Sequence, residues 1–72
     1  MNTQVKVNKL KSLRGLYGVR QSDLATYLKI NINRYSKCEN FTSDFKLSEM
    51  LMIVEFFRRY NREITLNDIW GD

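Results

Sequence analysis

The chain has 72 residues, a formal net charge of +4 and a single cysteine, and it contains neither histidine nor proline. A chain of this length forms one domain with a small core, which leaves little room for a deep substrate cavity. One cysteine without any histidine excludes an internal disulfide and a structural zinc site built from one chain. The excess of basic residues favours a polyanionic partner, of which nucleic acid is the simplest.

Enzymatic function is not expected from the remaining residues. The acidic side chains are spread along the chain and do not pair into an acid–base site. Nucleophilic triads that need histidine are impossible, and no glycine-rich phosphate-binding loop is present. We therefore expect no catalytic activity, no metal or cofactor and no small-molecule substrate.

The sequence carries no pattern of membrane insertion or export. No stretch approaches the roughly 20 apolar residues of a membrane span. The first part of the chain contains several basic residues but no long apolar run, which argues against a signal peptide. We therefore expect a cytoplasmic protein without a membrane partner.

Five helices are predicted in a single domain over residues 1–72. The first is predicted over residues 5–17, where apolar residues recur at helical spacing, and Gly18 can adopt the left-handed conformation that ends a helix. The second helix is predicted over Gln21–Leu28. Its core face, at positions i, i+1 and i+4, consists of Leu24, Ala25 and Leu28.

The third helix is predicted over Ile32–Glu39, after a tight turn of three residues. Asn31 ends that turn and is a good N-cap, because its side-chain oxygen can accept a free backbone N–H of the next helix. Tyr35 and Cys38 lie three residues apart on one side, where we expect them to pack in the core. The other sides are polar and partly basic, with side chains that can contact DNA, and they consist of Asn33, Arg34, Ser36, Lys37 and Asn40.

The fourth helix, predicted over residues 46–60 with Ser43 or Asp44 as its cap, has more apolar residues than one stripe can bury. The residues expected to face the core are Leu47, Met50 or Leu51, Val54 and Phe57. A second apolar surface then remains, formed by Met52, Phe56, Tyr60 and Trp70. This surface is either a protein interface or is covered by the fifth helix, and the sequence leaves both alternatives open.

The fifth helix is predicted over Leu66–Trp70. Thr65 and Asp68 have the spacing of a capping box, in which each side chain accepts the backbone N–H of the other residue. The apolar residues of this segment that can cover the fourth helix are Ile64, Leu66 and Ile69.

Two short helices joined by a three-residue turn, over residues 21–39, have the form of a helix-turn-helix. The positions from Leu10 to Arg14, from Gly18 to Gln21, and from Tyr35 to Asn40 resemble the Cro/repressor-type helix-turn-helix family, often called xenobiotic-response-element-like. The resemblance extends over residues 7–57 and includes Leu24, Ala25 and Leu28. It implies a compact all-α bundle of five helices, of the lambda-repressor-like DNA-binding type.

The resemblance also implies roles for individual residues. Gln21 is expected to bind a phosphate and to brace the recognition helix, and Asn40 to contact the DNA backbone. Arg14 and Glu39 match a charged pair that ties the first helix to the recognition helix. The remaining residues expected at the DNA are Asn31, Ile32, Asn33, Arg34, Ser36 and Lys37.

Four positions depart from the family pattern. Lys29 in the turn and Phe41 after the recognition helix stand where the family usually has glycine. Arg20 replaces the usual polar cap of the second helix. Ile32 stands where a polar base-reading residue is common, and an isoleucine can contact a thymine methyl group but cannot form two hydrogen bonds.

The resemblance implies a sequence-specific transcriptional regulator of a phage lysis–lysogeny switch or a similar circuit in the bacterial cytoplasm. Such a regulator binds a double-stranded operator, and pairing into a homodimer would extend the site. The alternative is an antirepressor, or modulator of repression, which forms a heteromeric complex with a phage repressor. A third alternative is the antitoxin of a toxin–antitoxin pair, which shares the fold.

Overall fold

The computed structural model describes residues 8–71, and within them all regular secondary structure is α-helical. The five helices are α1 (Leu10–Tyr17), α2 (Gln21–Leu28), α3 (Ile32–Glu39), α4 (Leu47–Phe57) and α5 (Leu66–Trp70). They form a compact body with a radius of gyration of 11.9 Å. The predicted all-α class with five helices is therefore confirmed. Within this part of the chain, none of the helices has the length and apolar character needed to span a bilayer.

Helix α1 begins later than predicted. Residues 5–7 lie outside the described residues, but Asn8 and Lys9 are described and are not helical. The Asn8 side chain accepts the N–H of Leu10 at 3.1 Å, and the N–H of Lys9 donates to the carbonyl of Ile69 at 3.0 Å. The first bond closes the turn that precedes α1, and the second holds the segment against α5. The predicted end is confirmed, because Gly18 has a left-handed φ of 69°.

The segment from α2 to α3 has the predicted boundaries. The side chain of Asn31 accepts the N–H of Asn33 at 2.6 Å, as expected of the N-cap of α3. Lys29 ends α2 in the left-handed conformation, with φ of 60°. The predicted core face of α2 is confirmed, and so is the burial of Tyr35 and Cys38 on α3.

Helix α4 differs from its prediction at both ends. Neither Ser43 nor Asp44 is the N-cap; that position belongs to Lys46, whose N–H donates to the Glu49 carboxylate at 2.8 Å. The helix ends at Phe57 and not at Tyr60. Beyond Phe57 the chain tightens into a turn, in which the N–H of Tyr60 donates to the Phe57 carbonyl at 2.9 Å.

The core-facing side of α4 was only partly predicted. Val54 and Phe57 are buried as expected, but Ile53 and Phe56 complete the buried stripe. Met50 is half-buried. The predicted burial of Leu47 is wrong, since it is 62% exposed, and of the two alternatives Met50 and Leu51 it is Leu51 that faces solvent, with 52% exposure. The buried stripe follows the i, i+3, i+4 spacing of a helix that packs between α2 and α5.

The second apolar surface predicted from the sequence does not form in the described residues. Phe56 is only 6% exposed and packs edge-on against Tyr27, with ring centroids 5.2 Å apart. Met52 and Trp70 are half-buried against the core. Tyr60 is 48% exposed but stacks on Tyr17. Helix α5 has its predicted capping box and contributes the buried Ile69, but the rings that pack on Phe56 and Tyr60 belong to Tyr27 of α2 and Tyr17 of α1. Residues of α1 and α2, and not α5 alone, therefore cover this surface.

Candidate nucleic-acid interface

One side of α3 faces outward. Ile32, Asn33, Lys37 and Asn40 are exposed and Ser36 is half-buried. At about 100° of rotation per residue, these five positions share one side of the helix. Tyr35 and Cys38 are buried on the other side of the helix, and Glu39, which is also buried, lies at the edge of the outward side, two turns beyond Ile32. We call the five outward residues the α3 face; the sequence predicted all of them as DNA-contacting residues.

Glu39 fixes the orientation of this face. Its carboxylate accepts two hydrogen bonds from Arg14 of α1, at 2.8 and 3.0 Å, and one from the Gln21 amide of α2 at 2.6 Å. The Tyr35 hydroxyl donates a further bond at 3.3 Å. The predicted pair of Arg14 and Glu39 is confirmed. A single carboxylate thus joins α3 to both preceding helices.

The electrostatic effects of this network agree with its geometry. The hydrogen bond to Glu39 raises the pKa of the Arg14 guanidinium, although partial burial opposes the shift. Burial, with the nearby Glu39 charge, raises the pKa of the Tyr35 hydroxyl, which therefore stays protonated as a donor. Within the described residues, no buried side-chain polar atom lacks a hydrogen-bond partner. A buried network with all partners in place is rigid.

Three of the residues predicted to contact DNA have side chains that form hydrogen bonds within the protein. The Gln21 amide nitrogen binds Glu39, which agrees with the predicted bracing role and leaves its phosphate contact a prediction. The Asn40 amide donates to the carbonyl of Ser36 at 2.9 Å, at the C-terminal end of α3. Asn31 serves as the N-cap, so its side-chain oxygen is also engaged.

Arg34 was grouped with these residues by sequence, but it lies outside the α3 face. Its guanidinium forms two hydrogen bonds with the Glu49 carboxylate on α4, at 2.6 and 2.9 Å. The bond from Arg34 lowers the pKa of Glu49, and the same bond raises the pKa of Arg34. The pair joins α3 to α4. Sequence reasoning missed Glu49, since the two residues are 15 positions apart in separate helices.

Exposed lysine side chains lie on and around the α3 face. Lys37 lies on the face, and Lys29 is exposed in the turn that precedes α3. Lys9 is also exposed, and the neighbouring Asn8 amide donates to the Glu39 carbonyl at 3.0 Å, which places this lysine near the end of α3. The sole acidic residue of α3 is Glu39, which is buried and paired. The face can therefore approach a polyanion without carboxylate repulsion from its own helix.

Two apolar side chains flank these polar groups. Ile32, at the start of α3, is 44% exposed, and Phe41, just after its end, is 42% exposed. Phe41 has a left-handed φ of 70°, which is uncommon for a residue with a large side chain. Both residues can contact either the apolar edge of a base or an apolar patch of a protein.

Two further observations in the described residues concern metal binding and thiol chemistry. No group of three or more histidine, cysteine, aspartate or glutamate side chains there could hold a metal ion. Cys38 is buried, and burial raises the pKa of its thiol, which disfavours the reactive thiolate.

Comparison of the chain with protein-family models, with curated proteins and with solved structures finds no match in any of the three. The α3 face and its supporting network are therefore the observations on which a functional proposal can stand.

Proposed function

We propose that the chain is a sequence-specific DNA-binding transcriptional regulator with a lambda-repressor-like fold, whose α3 enters the major groove as the recognition helix. The observation that carries the proposal is the outward α3 face, held rigidly by the buried Glu39 carboxylate. A recognition helix must present polar side chains to base edges while its other side packs in the core. Helix α3 has both properties.

Affinity in this proposal comes from the positive charge around the face. Lys37, Lys29 and Lys9 would contact phosphates, and each contact releases counterions from the DNA. A single helix reads few base pairs, so pairing of two copies on a two-fold symmetric operator would extend the site. A phage lysis–lysogeny switch or a similar bacterial circuit is the setting that the sequence resemblance implies.

The test is a binding measurement with duplexes selected from a random library, compared with scrambled duplexes at the same salt concentration. Lys37→Ala should weaken binding to selected and scrambled duplexes alike. It should also reduce the slope of log affinity against log salt concentration by about the amount that one phosphate contact contributes. Arg62→Ala is the matched control, because it removes the same charge from an exposed position in the connection between α4 and α5. Equal binding of selected and scrambled duplexes, or equal effects of the two substitutions, would refute the proposal.

A second candidate function is a modulator that binds a partner repressor through the same side of the molecule. Exposed Ile32 and Phe41, on either end of α3, favour it, because apolar and aromatic side chains are enriched in the centres of protein interfaces. The test is co-purification with any repressor that a neighbouring reading frame encodes. A stable complex that is lost in Phe41→Ser but kept in Lys37→Ala would favour this function over DNA binding.

A further inference from the structure

If α3 is the recognition helix, as proposed above, its first turn determines which base pairs the protein can distinguish. We infer that this turn reads A·T base pairs, with Ile32 against the methyl group of a thymine and Asn33 hydrogen-bonded to an adenine. The inference concerns the base pairs that face these two residues, and it rests on which side chains the structure leaves free.

Ile32 offers only apolar contact. It is the first residue of α3, and its side chain is 44% exposed although it has no polar group to solvate. In the major groove, the C5-methyl group of thymine is the apolar feature that an aliphatic side chain can recognise. Cytosine has only a hydrogen at C5, and guanine presents the acceptors N7 and O6, so neither base offers Ile32 a methyl group.

Asn33 offers a free carboxamide next to that apolar contact. The residue is exposed, and its backbone N–H is already bonded to the Asn31 side chain, which fixes the start of the helix. No hydrogen bond of the Asn33 side chain is found within residues 8–71, in contrast to Asn31 and Asn40. A free carboxamide forms a bidentate pair with N6 and N7 of adenine.

The arginine that could read guanine at this turn is bonded to another residue of the protein. Bidentate recognition of guanine needs a guanidinium fork directed at the groove. Arg34 directs its fork at Glu49 instead, with both terminal nitrogens bonded to the carboxylate. Lys37 lies one turn further along α3 and does not face the same base pairs. The first turn of α3 is therefore left with an apolar group and an amide.

The experiment begins with selection of bound duplexes from a random library by the full chain, followed by measurement of Kd for the best duplex. Each thymine is then replaced in turn by uracil, which removes only the methyl group. We expect one such replacement to weaken binding by roughly fourfold, as the burial of one methyl group predicts. In the Ile32→Ala variant the side chain is shorter, so the difference in Kd between thymine and uracil duplexes should be smaller than in the wild type.

Asn33→Ala gives an independent readout. It should lose the preference for adenine at the neighbouring position, by about tenfold. Leu16→Ala is the control, since Leu16 is 70% exposed on α1 and its truncation should leave the response to uracil unchanged. Because all three side chains are exposed, the variants should keep the fold, which circular dichroism checks.

The outcomes separate this inference from the function on which it rests. If no duplex is enriched above random sequence, both fail. If duplexes are enriched but uracil replacement has no effect, or the enriched positions that respond to Ile32→Ala and Asn33→Ala are G·C pairs, the DNA-binding function stands and the A·T inference is overturned.

Discussion

Arg14 of α1 and Glu39 of α3 form a two-point ion pair, with Nε to Oε2 at 2.8 Å and Nη2 to Oε1 at 3.0 Å. The Glu39 side chain has no solvent exposure and that of Arg14 is 18% exposed. Two parallel hydrogen bonds define both distance and orientation, so the pair restricts rotation of α3 about its own axis. The residues on the α3 face keep their direction because Glu39 of the same helix is held.

Removal of Arg14 tests how much the fold depends on this pair. Arg14→Met leaves the buried Glu39 carboxylate without its cation, and we expect the free energy of unfolding to fall by about 3 kcal/mol. Urea denaturation followed by circular dichroism measures the change. Arg20→Met is the control, because Arg20 pairs with Asp23 at the surface, where its side chain is 79% exposed. A similar loss in both variants would contradict the role given to the buried pair.

The pair of Arg34 and Glu49 predicts a pH dependence of stability. The bond from Arg34 lowers the pKa of Glu49 in the folded protein, so folding favours the ionised carboxylate. The stabilising contribution of the ionised Glu49 is complete above the pKa of a glutamate in the unfolded chain, about 4.3. It is lost as the pH falls through the lower pKa that Glu49 has in the folded protein. The double variant Arg34→Gln, Glu49→Gln should therefore differ most from wild type near neutral pH and least in acid.

Urea denaturation at a series of pH values checks this prediction. Glu55→Gln is the control, because Glu55 is an exposed glutamate of the same helix for which no ion pair is found within residues 8–71. The surface pair of Arg20 and Asp23 is present in all variants, so its own acid response cancels. A constant difference between the double variant and wild type across the acid range would rule out the proposed contribution of Glu49.

Features encoded by neighbouring residues could be predicted from the sequence. The bounds of α2 and α3 follow from local patterns, with Asn31 as an N-cap and three core residues at helical spacing on α2. The capping box of Thr65 and Asp68 likewise lies within four residues. The ion pair of Arg14 and Glu39 links distant positions, and it was expected only because the family resemblance implied it.

Features that depend on packing between helices could not be predicted in this way. The stripe of α4 that faces the core is selected by its neighbours α2 and α5, and all sides of α4 carry apolar residues. One pattern in the sequence does indicate which side of α4 is exposed. The stripe through Leu47 and Leu51 continues to Glu55 and Arg58, and these charged residues favour solvent. The position of Arg34 outside the α3 face could not be predicted from neighbouring residues, because its partner Glu49 lies in another helix.

Lys29 stands in a backbone conformation that favours glycine. Its φ is 60°, in the left-handed region, where a side chain is strained. Lys29→Gly removes that strain but increases the freedom of the unfolded chain, so we expect a net stabilisation of about 0.5 kcal/mol. Gly18→Ala is the reverse test, because Gly18 has φ of 69° and an added Cβ would meet no atom within 4 Å. It should destabilise by about 1 kcal/mol through the backbone alone, and thermal unfolding measures both. Changes of the same sign in the two variants would contradict this account.

The rotation of α4 is tested by a pair of truncations on its two sides. Phe56 is 6% exposed and contacts the rings of Tyr27 and Phe57, whereas Leu51 is 52% exposed on the side that sequence reasoning assigned to the core. Phe56→Ala removes a buried ring and leaves a cavity, which should lower the free energy of unfolding by about 3 to 4 kcal/mol. Leu51→Ala removes exposed surface from a helix and should change it by less than about 0.5 kcal/mol. Urea denaturation of the two variants measures the difference, and the opposite order of stabilities would mean that α4 packs with the Leu47 and Leu51 side against the core.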